Sequence, residues 1–157
     1  MLVDNQFLKC VTFLFVDEQN GNGKVRRIPK ATTFFVSVPI GNDLAQIYAV
    51  TARHVIYGSR EYGDLYIRLK LESGGYRDEI APQDKWVCHT QTDIAVIPIE
   101  IPDECDVKVM PLQMLATEKF VSENEVGIGD DVFFVGLFSG YSGHKHDRPI
   151  IRFGNIS

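Results

Sequence analysis

The residues with the most chemistry in them are His54 and Asp93, 39 positions apart. The His follows a hydrophobic run that ends in small residues, Ala49-Val50-Thr51-Ala52-Arg53-His54-Val55, so a strand delivers an imidazole into the turn beyond it. The Asp opens a second apolar run, Thr92-Asp93-Ile94-Ala95-Val96-Ile97. An imidazole paired with a carboxylate is a general base. The ring takes a proton from a nucleophile, while the carboxylate fixes the tautomer and stabilises the imidazolium that forms. A loosely held base is a poor one, and strand ends supply the rigidity. Taken singly, each residue also has a structural use, the His as a hydrogen-bonded strand-end residue and the Asp as a turn cap. His144-Lys145-His146-Asp147 and Cys88-His89 are the remaining candidates, as metal ligands. Two imidazoles at i, i+2 without a defined third ligand are a weak pattern, so the segment reads as an exposed polar loop and no metal or cofactor is expected.

Short strands must position the pair. Leu8 to Val16 is the first strand candidate, followed by the Asn20–Gly23 turn. Thr32 to Val38 is the second, with Phe34, Val36 and Val38 on one face, and Ala45 to Thr51, entered through Gly41-Asn42-Asp43, is the third. Asp64 to Leu71 alternates Leu65, Ile67, Leu69 and Leu71 with Tyr66, Arg68 and Lys70, as a half-exposed strand does. Tyr76–Ile80, Trp86–His89 and Ile94–Ile99 complete about seven strands in the first hundred residues. Residues 101–125 have no clean period and read as a linker with one short helical turn around Leu112–Lys119. Strand signals resume at Asp131–Leu137 and Pro149–Ile156. Many short strands without a long amphipathic helix make a barrel or sandwich the expected architecture.

Four of these segments also carry a family resemblance. Thr51-Ala52-Arg53-His54-Val55 resembles the Thr-Ala-x-His signature of trypsin-like serine proteases, and Asp93-Ile94-Ala95-Val96 resembles their Asp-(Ile/Leu)-Ala-(Val/Leu) signature. Ala31-Thr32-Thr33-Phe34-Phe35-Val36 is similar to the Gly-Thr-Gly-Phe-x-Val strand of bacterial and HtrA-like members, with Ala31 and Thr33 where glycines are common. Val126–Leu137 resembles the strand that opens the second barrel of that family, and Pro149–Ser157 resembles the next one. The order His then Asp is also the family's, with Ser last.

The resemblance implies an all-β, chymotrypsin-like double β-barrel. Residues 5–100 would form a nearly complete first barrel carrying His54 and Asp93, 101–125 the inter-barrel linker, and 126–157 the first strands of an incomplete second barrel. It implies a serine-type endopeptidase acting on a polypeptide substrate, with His54 as general base and acid and Asp93 as its orienting carboxylate. The nucleophile, the oxyanion hole and the specificity pocket are expected beyond Ser157, so this chain alone is expected to be inactive. A cysteine nucleophile is also compatible, as in viral relatives of the fold. Gly140-Tyr141-Ser142-Gly143 fits a Gly-x-Ser-Gly pattern, but Ser142 falls after the first strand of the second barrel and reads as part of a glycine-rich loop. A further segment or chain completing the second barrel is the partner this arrangement asks for. The alternative is a non-catalytic protease-like β-barrel kept as a binding or regulatory module.

Composition bounds these readings. With 157 residues, 45% hydrophobic and 11% aromatic, the chain has material for a buried core, which argues against disorder. A net charge of −5 argues against nucleic acid as a partner, and the basic stretch Lys24, Arg26, Arg27 and Lys30 reads as a solvated hairpin flank. Three cysteines, Cys10, Cys88 and Cys105, match no disulfide framework or metal motif and read as free thiols of a reducing compartment. Leu8–Val16 is interrupted by Lys9 and too short to cross a bilayer, so a cytoplasmic protein without a membrane partner is expected.

Overall fold

A computed structural model describes residues 4–136 and 149–157. The apolar run over Leu8–Val16 divides in two: a 3-10 turn takes Asn5–Lys9, capped by the Asp4 carboxylate on the Gln6 amide, and β1 runs over Val11–Gln19. β2 spans Val25–Gly41 and β3 Leu44–Thr51. Between them Gly41, Asn42 and Asp43 all have positive φ (96°, 51° and 59°), so the turn rests on the residue types that tolerate that region. There follow α1 (Arg53–Tyr57), β4 (Leu65–Lys70), β5 (Tyr76–Ala81), β6 (Val87–Cys88), β7 (Ala95–Pro98), β8 (Met110–Pro111), α2 (Glu118–Glu123), β9 (Asp131–Gly136) and β10 (Ile150–Asn155). Strand makes up 48% of the described residues and helix 18%, which places the protein in the all-β class.

β2 is long because it has partners along its length. Its first half pairs with β1 and its second with β3, and β8 lies parallel to Val36 and Ser37, beyond the last β1 pairing at Phe34. Pro29 cannot donate to a ladder, and the register shifts beside it: Leu14 faces Ala31 while Phe15 faces Pro29, leaving Lys30 as the extra residue of a bulge. The basic stretch is therefore part of a strand, and Arg27 is held across the sheet by Asp17 at 2.8 Å.

The main sheet has the order β5-β4-β1-β2-β3-β7-β6, with β8 off the path beside β2. Flat, those seven strands would set β5 and β6 about 29 Å apart at about 4.8 Å per neighbour. Yet only Pro82–Trp86 separates Ala81 from Val87, a reach of about 21 Å when fully extended, and a 3-10 turn over Gln83–Lys85 shortens it. The sheet must curl. The Trp86 indole N–H donates to Ala81 C=O at 3.4 Å at that junction, although β5 and β6 share no ladder among the described residues. The concave side holds the core: Leu14, Val16, Phe35, Ala49, Leu65, Ile67, Leu69, Ala81, Ala95 and Ile97, with Trp86 and Ile56.

Residues 101–125 run back along the curled sheet. Leu71 bridges to Cys105, the Asp106 amide donates to Lys70 C=O at 2.8 Å and the Lys108 amide to Lys9 C=O at 3.0 Å, before β8 joins β2. β9 and β10 form a separate two-stranded sheet that meets the N-terminal turn through Phe7 and Phe133, edge to face at 5.6 Å. Cys10, Cys88 and Cys105 are free thiols. No helix among the described residues is long and apolar enough to cross a membrane.

Candidate active site

His54 and Asp93 meet because of strand register. β3 and β7 are antiparallel with Thr51 opposite Ala95, so the residues just after β3 and just before β7 emerge at the same end of the sheet. His54 lies three residues past that pair and Asp93 two residues before it. α1 turns immediately after β3 and is anchored by Ile56, 3% exposed, which leaves His54 on the outward side of this short helix. Threonine hydroxyls brace the approach: Thr33 Oγ1 donates to Val50 C=O at 2.8 Å and Thr51 Oγ1 to Thr32 C=O at 2.9 Å. Thr33 stands where the resembled strand often has glycine. Here its side chain is fully buried and bonded, so the space is filled rather than strained.

The carboxylate grips the histidine twice. Asp93 Oδ1 accepts from the His54 backbone amide at 2.8 Å, and Oδ2 lies 2.6 Å from His54 Nδ1. A carboxylate can only accept, so Nδ1 carries a proton, and in the neutral ring Nε2 holds the lone pair. Nε2 has no hydrogen-bond partner among the described residues. The His54 ring N–H first, and its backbone amide second, hold the Asp93 carboxyl below the usual carboxylate range. Both side chains face solvent, His54 at 74% and Asp93 at 52% exposure. The pair thus has the bonding of a general base and orienting acid but sits in an open, wet position.

The loop that carries Asp93 has its own frame. The His89 amide donates to Ile94 C=O at 2.8 Å, closing residues 89–94 into one turn. Inside it, His89 Nδ1 accepts from the Gln91 amide at 3.2 Å and the Thr92 amide at 2.9 Å, and lies 2.8 Å from Thr92 Oγ1. Arg53, next to His54, donates from Nη1 to His89 C=O at 2.8 Å and Thr90 C=O at 3.0 Å. The helix bearing His54 is therefore tied to the turn bearing Asp93. His89 was singled out in the sequence only beside Cys88, as a weak metal ligand. It accepts from the amides two and three residues ahead, as the side chain of an Asx turn does, and no side-chain pattern in the sequence marks that role. No cluster of metal-ligating groups exists among the described residues. Ser142, His144, His146 and Asp147 lie outside them.

Comparison with family models, with curated proteins and with solved structures found no match in any of the three.

Proposed function

We propose that this chain is the His/Asp-bearing part of a serine-type endopeptidase domain built as a chymotrypsin-like double β-barrel. Residues 5–100 would be the first barrel, 101–125 the connection, and 126–157 the opening strands of the second. The single observation that carries the reading is the two-point grip of Asp93 on His54, which leaves Nε2 without a hydrogen-bond partner among the described residues. The motif order, the curled sheet and the separate β9–β10 sheet support the same assignment. The substrate class is polypeptide, the expected compartment cytoplasmic, and the partner a further segment or chain completing the second barrel.

In this mechanism His54 Nε2 takes the proton of an attacking hydroxyl as it adds to the scissile carbonyl. Asp93 holds the tautomer and stabilises the imidazolium, which then returns the proton to the leaving amine. The nucleophile is supplied from outside the described residues, within about 3 Å of Nε2.

The test is casein hydrolysis by the polypeptide encoded by the natural reading frame that contains this sequence, beside the 157-residue chain alone. The longer polypeptide should hydrolyse casein and lose about 10²–10⁴-fold in kcat on His54→Ala or Asp93→Asn, and the 157-residue chain should show no His54-dependent turnover. Hydrolysis indifferent to His54→Ala refutes the assignment. A reading frame with no nucleophile-bearing turn leaves the binding module instead.

A further inference from the structure

We propose that His89 is a positioning residue for the dyad: its neutral imidazole gathers the 89–94 turn around Nδ1 and so aims the Asp93 carboxylate at His54. The inference rests on the peptidase reading for its purpose, but its geometry stands apart from that reading.

Two backbone amides donate to one ring nitrogen, and the Thr92 hydroxyl lies 2.8 Å from it. A nitrogen that accepts from backbone N–H groups must be unprotonated, which assigns the ring proton of His89 to Nε2. The turn has little else to hold it. Residues 89–94 are all exposed, so apolar packing contributes little to fixing their dihedrals, and the carboxylate direction depends largely on the hydrogen bonds of the turn. Those bonds close around Asp93 from both sides: the Thr92 amide precedes it, and Ile94 C=O, bonded by the His89 amide, follows it. Arg53 completes the connection, because its guanidinium holds the His89 and Thr90 carbonyls while its own backbone leads into His54. A misdirected carboxylate loses both bonds to His54 together, since Oδ1 and Oδ2 each serve one of them.

A turn cap that merely stabilised the chain would leave the dyad intact when removed. The deciding measurement is therefore spectroscopic. In the 157-residue chain with ¹⁵N-labelled histidine, the His54 Nδ1–H proton should resonate downfield of the amide region, identified by its loss in His54→Ala and Asp93→Ala. His89→Ala should reduce that resonance about tenfold or broaden it away, the loss expected when a hydrogen-bonded constraint is removed. His89→Asn should restore it, because Asn Oδ1 falls where His Nδ1 was, whereas His89→Gln carries its acceptor one methylene too far and should not. A folded His89→Ala protein with the wild-type resonance overturns the proposal. If His89→Ala does not fold, the Asn and Gln variants decide: Asn keeping and Gln losing the signal supports it, and identical behaviour of the two overturns it. Failure of the peptidase reading would look different, as a His89-dependent resonance in a protein whose longer form hydrolyses nothing.

Discussion

Asp78→Asn should destabilise the protein by about 2 kcal/mol at neutral pH, and the loss should vanish in acid. Asp78 lies on β5 between two guanidinium groups. Oδ1 accepts from Arg68 Nε at 2.8 Å, while Oδ2 accepts from Arg68 Nη2 and from Arg27 Nη1, both at 3.0 Å. Arg27 is shared with Asp17 and lies over the Tyr66 ring, and Arg68 covers the Phe15 ring at 3.9 Å. The cluster thus joins β5, β4, β1 and β2 across the convex face. Side-chain exposures are 18% for Asp78, 31% for Arg27 and 23% for Arg68, so solvent screens the pairs only in part. A charge-assisted hydrogen bond contributes about 1.5–3 kcal/mol when buried and well under 1 when exposed, and three intermediate ones give about 2 kcal/mol. For a chain of this length that lowers Tm by about 4–8 °C.

The pH dependence tests the cause. Burial alone would push the Asp78 carboxyl up, but the hydrogen bonds from Arg68 and Arg27 outweigh it and hold the group below the usual carboxylate range. Its contribution is therefore complete above the unfolded value of about 3.9 and is lost as pH falls through the lower folded value. Protonated Asp78 resembles Asn, so wild type and variant should converge in stability near pH 2 even though both weaken as Asp17 and Asp106, likewise held low by their cation partners, are protonated. Urea unfolding at pH 7 and at successive pH values down to about 2, with the slope m unchanged, reads the difference directly. A difference under about 0.5 kcal/mol at pH 7, or one of equal size in acid, would mean that packing rather than charge holds this face.

The carboxyl ¹³C signal of Asp93 should titrate below the ordinary range in wild type and move back up in His54→Ala, which removes the ring N–H that lowers it most. An Asp93 midpoint at or above about 3.9 in wild type would contradict the two-point grip. Thr33→Val keeps the shape of a fully buried side chain but deletes its bond to Val50 C=O, so thermal or urea unfolding should show a loss of about 1–2 kcal/mol. A stability change near zero would mean that the hydroxyl does not brace the strand leading to His54.

Alternation made the strands legible. Leu65, Ile67 and Leu69 are almost fully buried while Tyr66, Arg68 and Lys70 are more exposed, the pattern the sequence displays. The His54 and Asp93 segments were legible too, as short motifs at strand ends, and their register through Thr51 and Ala95 follows once both are strands. Less visible was anything set by a backbone partner distant in sequence. The 101–125 segment has no period because it binds the sheet through main-chain amides at Glu72, Asp106 and Lys108, which leave no side-chain signature. β2 exceeds the stretch its alternation marks because Arg27 and its neighbours gain partners on β1 and β5. His89 escaped for the same reason: it acts on amides, and any residue type can supply those.

The exposure of the dyad connects these observations. A hydrogen bond open to water contributes little, and an imidazole at 74% exposure would compete with solvent for every proton it handled as a base. Proton transfer in a hydrolase needs the opposite condition, a dry wall and a nucleophile at Nε2. The β9–β10 sheet has a matching need. A two-stranded sheet is marginal alone, and Phe134 and Phe153 stand 66% and 61% exposed on it. On the proposed peptidase reading, polypeptide from outside the described residues would cover both the site and the second sheet. Among the described residues, the geometry of the His54–Asp93 pair is kept by the chain's own hydrogen bonds. On the peptidase reading, this is why a turn organised around His89 and clamped by Arg53 stands beside Asp93: it holds the acid and base in register before any nucleophile or substrate is present.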